Sequence, residues 1–299
     1  FYISLLSVIL NVLISLTFFK SFCFLIIPLA TSIATWVAVM VYLIFLLKYN
    51  YFHFKTFLAI NFIKIIMSAL IIGNWKSNGS KETNKLWFTD FFKHIKDDAE
   101  SFSAICPPYV YLNQIIDLCS KSNIKIGAQD IDFSQGARTG SISAKACKDL
   151  GCNFSIIGHS ERREFFKEDN FDIRKKLICA QENDLKIVMC IGEPIEIYDS
   201  GSTKEFLKKQ LIDSIDGLNL FNDFIIAYEP IWAIGSGKLP SSEEINAIHF
   251  YIKDIVQSAS KNNFTPNVLY GGSVTSKNAE VLFKEQYISK IYYPLDSNK

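Results

Sequence analysis

Four short motifs contain the residue types that acid–base chemistry on a small anion requires. Gly73-Asn74-Trp75-Lys76-Ser77-Asn78-Gly79 offers an ammonium group, and Gly158-His159-Ser160-Glu161-Arg162-Arg163 offers an imidazole. Tyr228-Glu229-Pro230-Ile231-Trp232-Ala233-Ile234-Gly235-Ser236-Gly237-Lys238 offers a carboxylate, then a stiff entry and a glycine-rich tip that reads as a lid. In Tyr270-Gly271-Gly272-Ser273-Val274 two glycines let the backbone approach an anion, and a helix following them would add its N-terminal dipole. Taken singly, each signal is weak. A lone lysine after a strand is usually a solvated charge, and a lone histidine is more often structural than catalytic.

The elements around these motifs give them a common location. From Ala69 onward, short β-rich apolar runs alternate with longer segments of helical period, the pattern of parallel strands joined by crossover helices. The strands are expected at Ala69–Gly73, Ser101–Cys106, Ile124–Ala128, Phe154–Ile157, Lys186–Cys190, Phe224–Tyr228, Asn267–Tyr270 and Ile288–Tyr293. Helices are expected near Glu82–Lys96, Val110–Lys121, Ser143–Leu150, Phe171–Glu182, Ser202–Ile215, Ser242–Lys261 and Ser276–Lys284. This repeat suits a closed (β/α)8 barrel lacking most of its last helix. An open dinucleotide-binding sheet should show Gly-x-Gly-x-x-Gly after its first strand, and none follows Ile72. In such barrels the reacting groups sit at the C-terminal ends of the strands, and the four motifs follow strands one, four, six and seven.

Composition separates residues 1–66, overwhelmingly apolar, from a normally mixed domain over 67–299. Phe22 to Leu47 carries no charge and is long enough for a membrane helix, with Lys48, Tyr49, Tyr51, Phe52, His53 and Lys55 forming an interfacial flank. The leader reads either as one or two membrane spans or as mistranslated upstream sequence, with Met67 a natural initiator. The barrel is accordingly expected in the cytoplasm, or membrane-anchored on the cytoplasmic side. Lys+Arg 31 against Asp+Glu 30 leaves a net charge of +1, too little to attract nucleic acid, so any anion must be caught locally. Seven scattered cysteines without Cys-x-x-Cys indicate a reduced protein with neither a disulfide framework nor a zinc site. No ligand spacing calls for a metal, and no cofactor is called for.

In this order and spacing, the motifs closely resemble those of the triosephosphate isomerases, from about Ala69 to Asn278, with further matches in Gly127-Ala128-Gln129 and Cys190-Ile191-Gly192-Glu193. The resemblance implies interconversion of dihydroxyacetone phosphate and glyceraldehyde 3-phosphate through an enediolate in a homodimer. Glu229 would be the base and His159 a neutral hydrogen-bond donor to the enediolate oxygens. Lys76 would be the fixed cation, with Asn74 holding its geometry and Glu161 its partner. Ser160 and Cys190 would support the site. Gly235, Ser273, Gly271 and Gly272 would bind the phosphate. The lid would comprise Pro230, Ile231, Trp232, Ala233, Ile234, Gly235, Ser236, Gly237 and Lys238, and Thr139 would reach the neighbouring subunit's site.

The chain also departs from that pattern. Ile288-Ser289-Lys290-Ile291-Tyr292-Tyr293 runs into Pro294-Leu295-Asp296-Ser297-Asn298-Lys299, without the family's phosphate-binding Gly-Gly loop and final helix. Of the sequence as written, weak activity or none is expected. In the loop 129–141, Asp130 stands where Asn is usual, Arg138 replaces an aromatic, and Ser141 replaces an acid expected to pair with Arg162. These changes point to a weaker dimer interface. Pro240 at the far hinge of the lid fixes φ where the chain should flex.

Overall fold

The computed structural model describes residues 70–94, 102–220, 224–236, 239–274 and 290–294. The chain divides into two units, Phe1–Lys64 and Ile65–Lys299, and every described residue belongs to the second. The apolar leader, the expected helix Ser276–Lys284 and the segment after Pro294 lie outside the described residues. Among those described, no helix is long and apolar enough to cross a membrane.

Eight parallel strands close into a barrel in sequence order: β1 (Leu70–Asn74), β2 (Phe102–Cys106), β3 (Lys125–Ala128), β4 (Phe154–Ile157), β5 (Lys186–Ile191), β6 (Phe224–Tyr228), β7 (Asn267–Tyr270) and β8 (Lys290–Pro294). Closure comes from β1 pairing with β8, in register from Leu70↔Lys290 to Asn74↔Pro294. The expected limits of β4, β6 and β7 coincide with those observed, and the other strands differ by a residue or two at one end or, for β1 and β8, at both.

The helices are α1 (Lys81–His94), α2 (Leu112–Cys119), α3 (Ala144–Leu150), α4 (Ser160–Phe165), α5 (Asn170–Glu182), α6 (Ile195–Asp199), α7 (Thr203–Ile215) and α8 (Ser242–Ala259). The expected set of one helix per repeat is corrected here, because β4 and β5 are each followed by two. With 6 and 5 residues, α4 and α6 are too short to declare a helical period. Capping sets several starts. Ser143 accepts from Ala146 N–H, Asp169 accepts from Asp172 N–H, and Ser241 and Glu244 form a reciprocal capping box.

Side chains alternate across each strand, which produces two apolar layers. On β5, Val188 and Cys190 face the barrel interior with Ile72, Phe154 and Leu269, whereas Ile187, Met189 and Ile191 join the cluster beneath the helices. Both faces are covered, so β5 reads as a nearly continuous apolar run. The backbone leaving each strand end is therefore held by packing on both sides, and the site stands on these ends.

Candidate active site

At the end of β1, Asn74 is buried, and its Oδ1 accepts the Lys76 backbone N–H at 2.9 Å. Lys76 has a φ of 51°, a left-handed conformation that a lysine does not favour and its surroundings must enforce. Gln129, immediately after β3, supplies part of that enforcement. Its Nε2 donates to Lys76 O at 2.6 Å and to Cys106 O at 2.9 Å. The Lys76 ammonium reaches across the barrel mouth to Glu161 Oε1, 2.8 Å away.

After β4, His159 is the N-cap of α4. Its Nδ1 accepts the Glu161 N–H at 3.2 Å. A backbone N–H can only donate, so the neutral ring carries its proton on Nε2. That nitrogen lies 3.8 Å from Glu229 Oε2. His159 and Glu229 are both buried.

Glu229 follows β6. Its own N–H donates to Ile191 O at 2.7 Å, which ties the loop after β6 to the end of β5. Gly192 makes this approach possible, since a Cβ there would lie 1.8 Å from Glu229 O. Cys190 Sγ donates to Glu229 Oε1 at 3.1 Å, while Oε2 has no hydrogen-bond partner among the described residues. Burial pushes the carboxyl above its ordinary value. His159, the Cys190 thiol, the Ser160 N–H and the Lys76 charge pull in the opposite direction without cancelling it. The result is a carboxylate with more affinity for a proton than one in water.

Pro230 and Ala233 are buried, and Ile231–Ala233 forms a 3-10 turn at the lid's root. Trp232 Nε1 donates to Glu193 Oε1 at 2.9 Å, and the Tyr228 hydroxyl donates to the same oxygen at 3.1 Å. Ile234 is half-buried, and Gly235 and Ser236 are exposed at the tip. Gly237 and Lys238 lie outside the described residues. After β7, Gly271 and Gly272 are buried, and Ser273 Oγ donates to Ala233 O, tying this loop to the lid. A side chain at Gly272 would meet the Tyr270 hydroxyl at 2.1 Å. That hydroxyl has no partner among the described residues.

Thr139 is exposed at the tip of the loop after β3, and Arg138 lies over the Phe133 ring. The departures around Arg162 are met within the same chain. Arg162 Nε lies 2.9 Å from Asp130 Oδ2, and its Nη2 lies 2.6 Å from Glu168 Oε1. Lys176, buried on α5, adds 2.7 Å contacts to Asp130 Oδ1 and Glu168 Oε1. Burial pushes Asp130 up to about 6. Lys176 opposes this, Glu168 reinforces it, and Arg162 opposes it more weakly.

The sequence reading assigns no role to Gln129, Glu193 or Tyr228, although each stands at a strand's C-terminal end or in the loop beyond it. The rule that singled out His159 would have found them, since polar groups there face the barrel mouth.

A family model described as triosephosphate isomerase matches residues 69–290. The triosephosphate isomerase of Vesicomyosocius okutanii is 37% identical over 218 residues, covering 72% of this chain and 88% of the relative. That of Psychromonas ingrahamii is 36% identical over 226 residues, covering 73% and 89%. That of Alkaliphilus oremlandii is 37% identical over 225 residues, covering 72% and 89%. With its closed parallel barrel and a match over most of its length, this chain belongs to the triosephosphate isomerase family.

Proposed function

We propose that the chain interconverts dihydroxyacetone phosphate and glyceraldehyde 3-phosphate, with Glu229 carrying a proton between the two adjacent carbons. The observation that carries this reading is the buried approach of His159 Nε2 to Glu229 Oε2, 3.8 Å, at a mouth that also contains the Lys76 ammonium. Glu229 Oε2 accepts the proton from the hydroxyl-bearing carbon, and negative charge develops on the neighbouring carbonyl oxygen. His159 donates its Nε2–H toward that charge, and Lys76 stabilises it electrostatically. The hydroxyl proton then passes to the former carbonyl oxygen by way of His159 Nε2, which gives its own proton to one oxygen and takes one from the other, and Glu229 returns its proton to the second carbon as the first becomes the carbonyl. Asn74 and Gln129 hold Lys76, whereas Ser160 and Cys190 hold the carboxylate.

The substrate phosphate would be gripped by backbone N–H groups at Gly235 and Gly272 and by Ser273, whereas the Gly271 N–H donates to Tyr228 O at 2.8 Å and holds the loop in place. Closing of the lid over residues 230–238 would exclude water and keep the enediolate from expelling its phosphate. A homodimer joined through the Thr139 loop belongs to the same reading. Phe165 and Phe166 are 68% and 65% exposed, and a groove of about 570 Å³ is walled by Arg138, Thr139, Arg162 and Phe166. The groove is lined largely by charged side chains, and the two Phe rings are the apolar part that a partner would cover. The barrel is assigned to the cytoplasm, where the reduced thiols and the substrate would coexist.

The test is a coupled assay on dihydroxyacetone phosphate, with longer sugar phosphates as competitors and the mass of the assembly measured alongside. Turnover of the triose phosphate by a dimer supports the proposal. Faster turnover of a longer sugar phosphate, or binding without turnover, would overturn it.

A further inference from the structure

Trp232, at the front of the lid, is gripped on two sides. Its Nε1–H is held by Glu193, and its ring lies against Tyr198, with centroids 4.2 Å apart and planes inclined at 35°. Tyr198 belongs to the short α6. Its hydroxyl donates to Glu244 Oε1 at 3.2 Å. The other oxygen of Glu244 accepts the Ser241 N–H at 2.8 Å, in the capping box that begins α8. A single tyrosine thus links the front of the lid to the helix that starts just past its far end.

The lid tip, Gly235 and Ser236, stands in solvent in this arrangement. Gripping a phosphate through Gly235 N–H requires the tip to move inward. The Tyr198–Trp232 contact is made in this arrangement, with the tip exposed. A contact made in only one of two arrangements shifts the balance between them by its own free energy.

We propose that Tyr198 is a positioning residue that holds the lid open through Trp232, and so sets how much binding energy must be spent on closing. The inference rests on the isomerase reading of the site. It predicts an effect that damage to the fold would not produce, namely tighter binding after the side chain is removed.

The probe is 2-phosphoglycolate, a small phosphorylated carboxylate close in charge and shape to the enediolate. Calorimetric titration and steady-state kinetics would be run on the 299-residue chain, on Tyr198→Ala and on Tyr198→Phe. Tyr198→Ala should bind roughly three- to tenfold more tightly, the range expected for one aromatic pair. KM should fall by a similar factor and kcat should not rise. Tyr198→Phe keeps the ring but loses its anchor on Glu244, so it should lie between the two. Unchanged or weaker binding by Tyr198→Ala, in an enzyme that still isomerises, overturns the proposal. If the alanine variant does not fold, the phenylalanine variant decides by the same criterion. A parent chain that neither binds the probe nor isomerises overturns the isomerase reading and this inference together.

Discussion

Cys190 stands behind Glu229, with its Sγ donating to Oε1 at 3.1 Å, in a place where both side chains are shut off from solvent. The thiol holds one carboxylate oxygen and leaves the other without a partner among the described residues.

Replacing Cys190 by Ala removes a donor that stabilises the ionised form, so the already raised pKa of Glu229 should rise further. The base works only when ionised, and activity is lost as pH falls through its pKa. The acid limb of kcat/KM should therefore move to higher pH in Cys190→Ala. Rate profiles of the two proteins on one substrate check this, because the titration of the substrate phosphate is common to both. Superimposable acid limbs would contradict it.

Asp130 gives a stability prediction with a defined sign. Its carboxyl is raised to about 6 in the fold, so the folded state holds the proton more tightly than the unfolded chain does. That favourable contribution is complete below the unfolded value of about 3.9 and is lost as pH rises through about 6. The stability of the parent relative to Asp130→Asn should decline over this window by roughly 1–4 kcal/mol. Thermal unfolding of both proteins between pH 4 and 7 measures the difference. A constant gap would show that Lys176 and Arg162 fully offset the burial.

Gly192 lies against the Glu229 carbonyl, backbone to backbone, and no rotamer change can relieve a clash there. Gly192→Ala should cost about 3 kcal/mol or displace Glu229 by a comparable strain. Turnover should fall on the order of 100-fold, the penalty associated with small misplacements of a reacting group. Denaturant midpoints and kcat together test this, and wild-type values for both would contradict it.

Gln129 bonds the Lys76 and Cys106 carbonyls while Lys76 sits at positive φ. Gln129→Leu should leave the barrel folded and lower kcat/KM roughly 10- to 100-fold through a misplaced ammonium, with each lost hydrogen bond costing about 1–3 kcal/mol locally. Circular dichroism and steady-state kinetics decide it. Unaltered kinetics would mean that Asn74 suffices to hold Lys76.

Much of this was legible in the chain itself, for identifiable reasons. The limits of β4, β6 and β7 could be read because each is a short, mostly apolar run closed at its C-terminal end by glycine or glutamate. Lys76, His159 and Glu229 stood out because each follows such a run. The short helix α6 escaped, since it does not complete the two turns that periodicity needs. The pairing of Arg162 also escaped, because its partners Asp130 and Glu168 lie in different loops and Lys176 reads as an ordinary surface lysine of an amphipathic helix. The grip on Trp232 by Glu193 and Tyr198 depends on how the loop after β5 folds against the lid, which no local pattern encodes.

The central claim is that Glu229 carries the proton. Its most direct test is the isomerisation rate of dihydroxyacetone phosphate by Glu229→Gln, a neutral side chain of the same shape, beside the parent protein at matched thermal stability. The account predicts a loss of at least about 1000-fold, within the range that general-base catalysis supplies. A variant that keeps its rate within about tenfold of the parent, below that range, would contradict the assignment of the base.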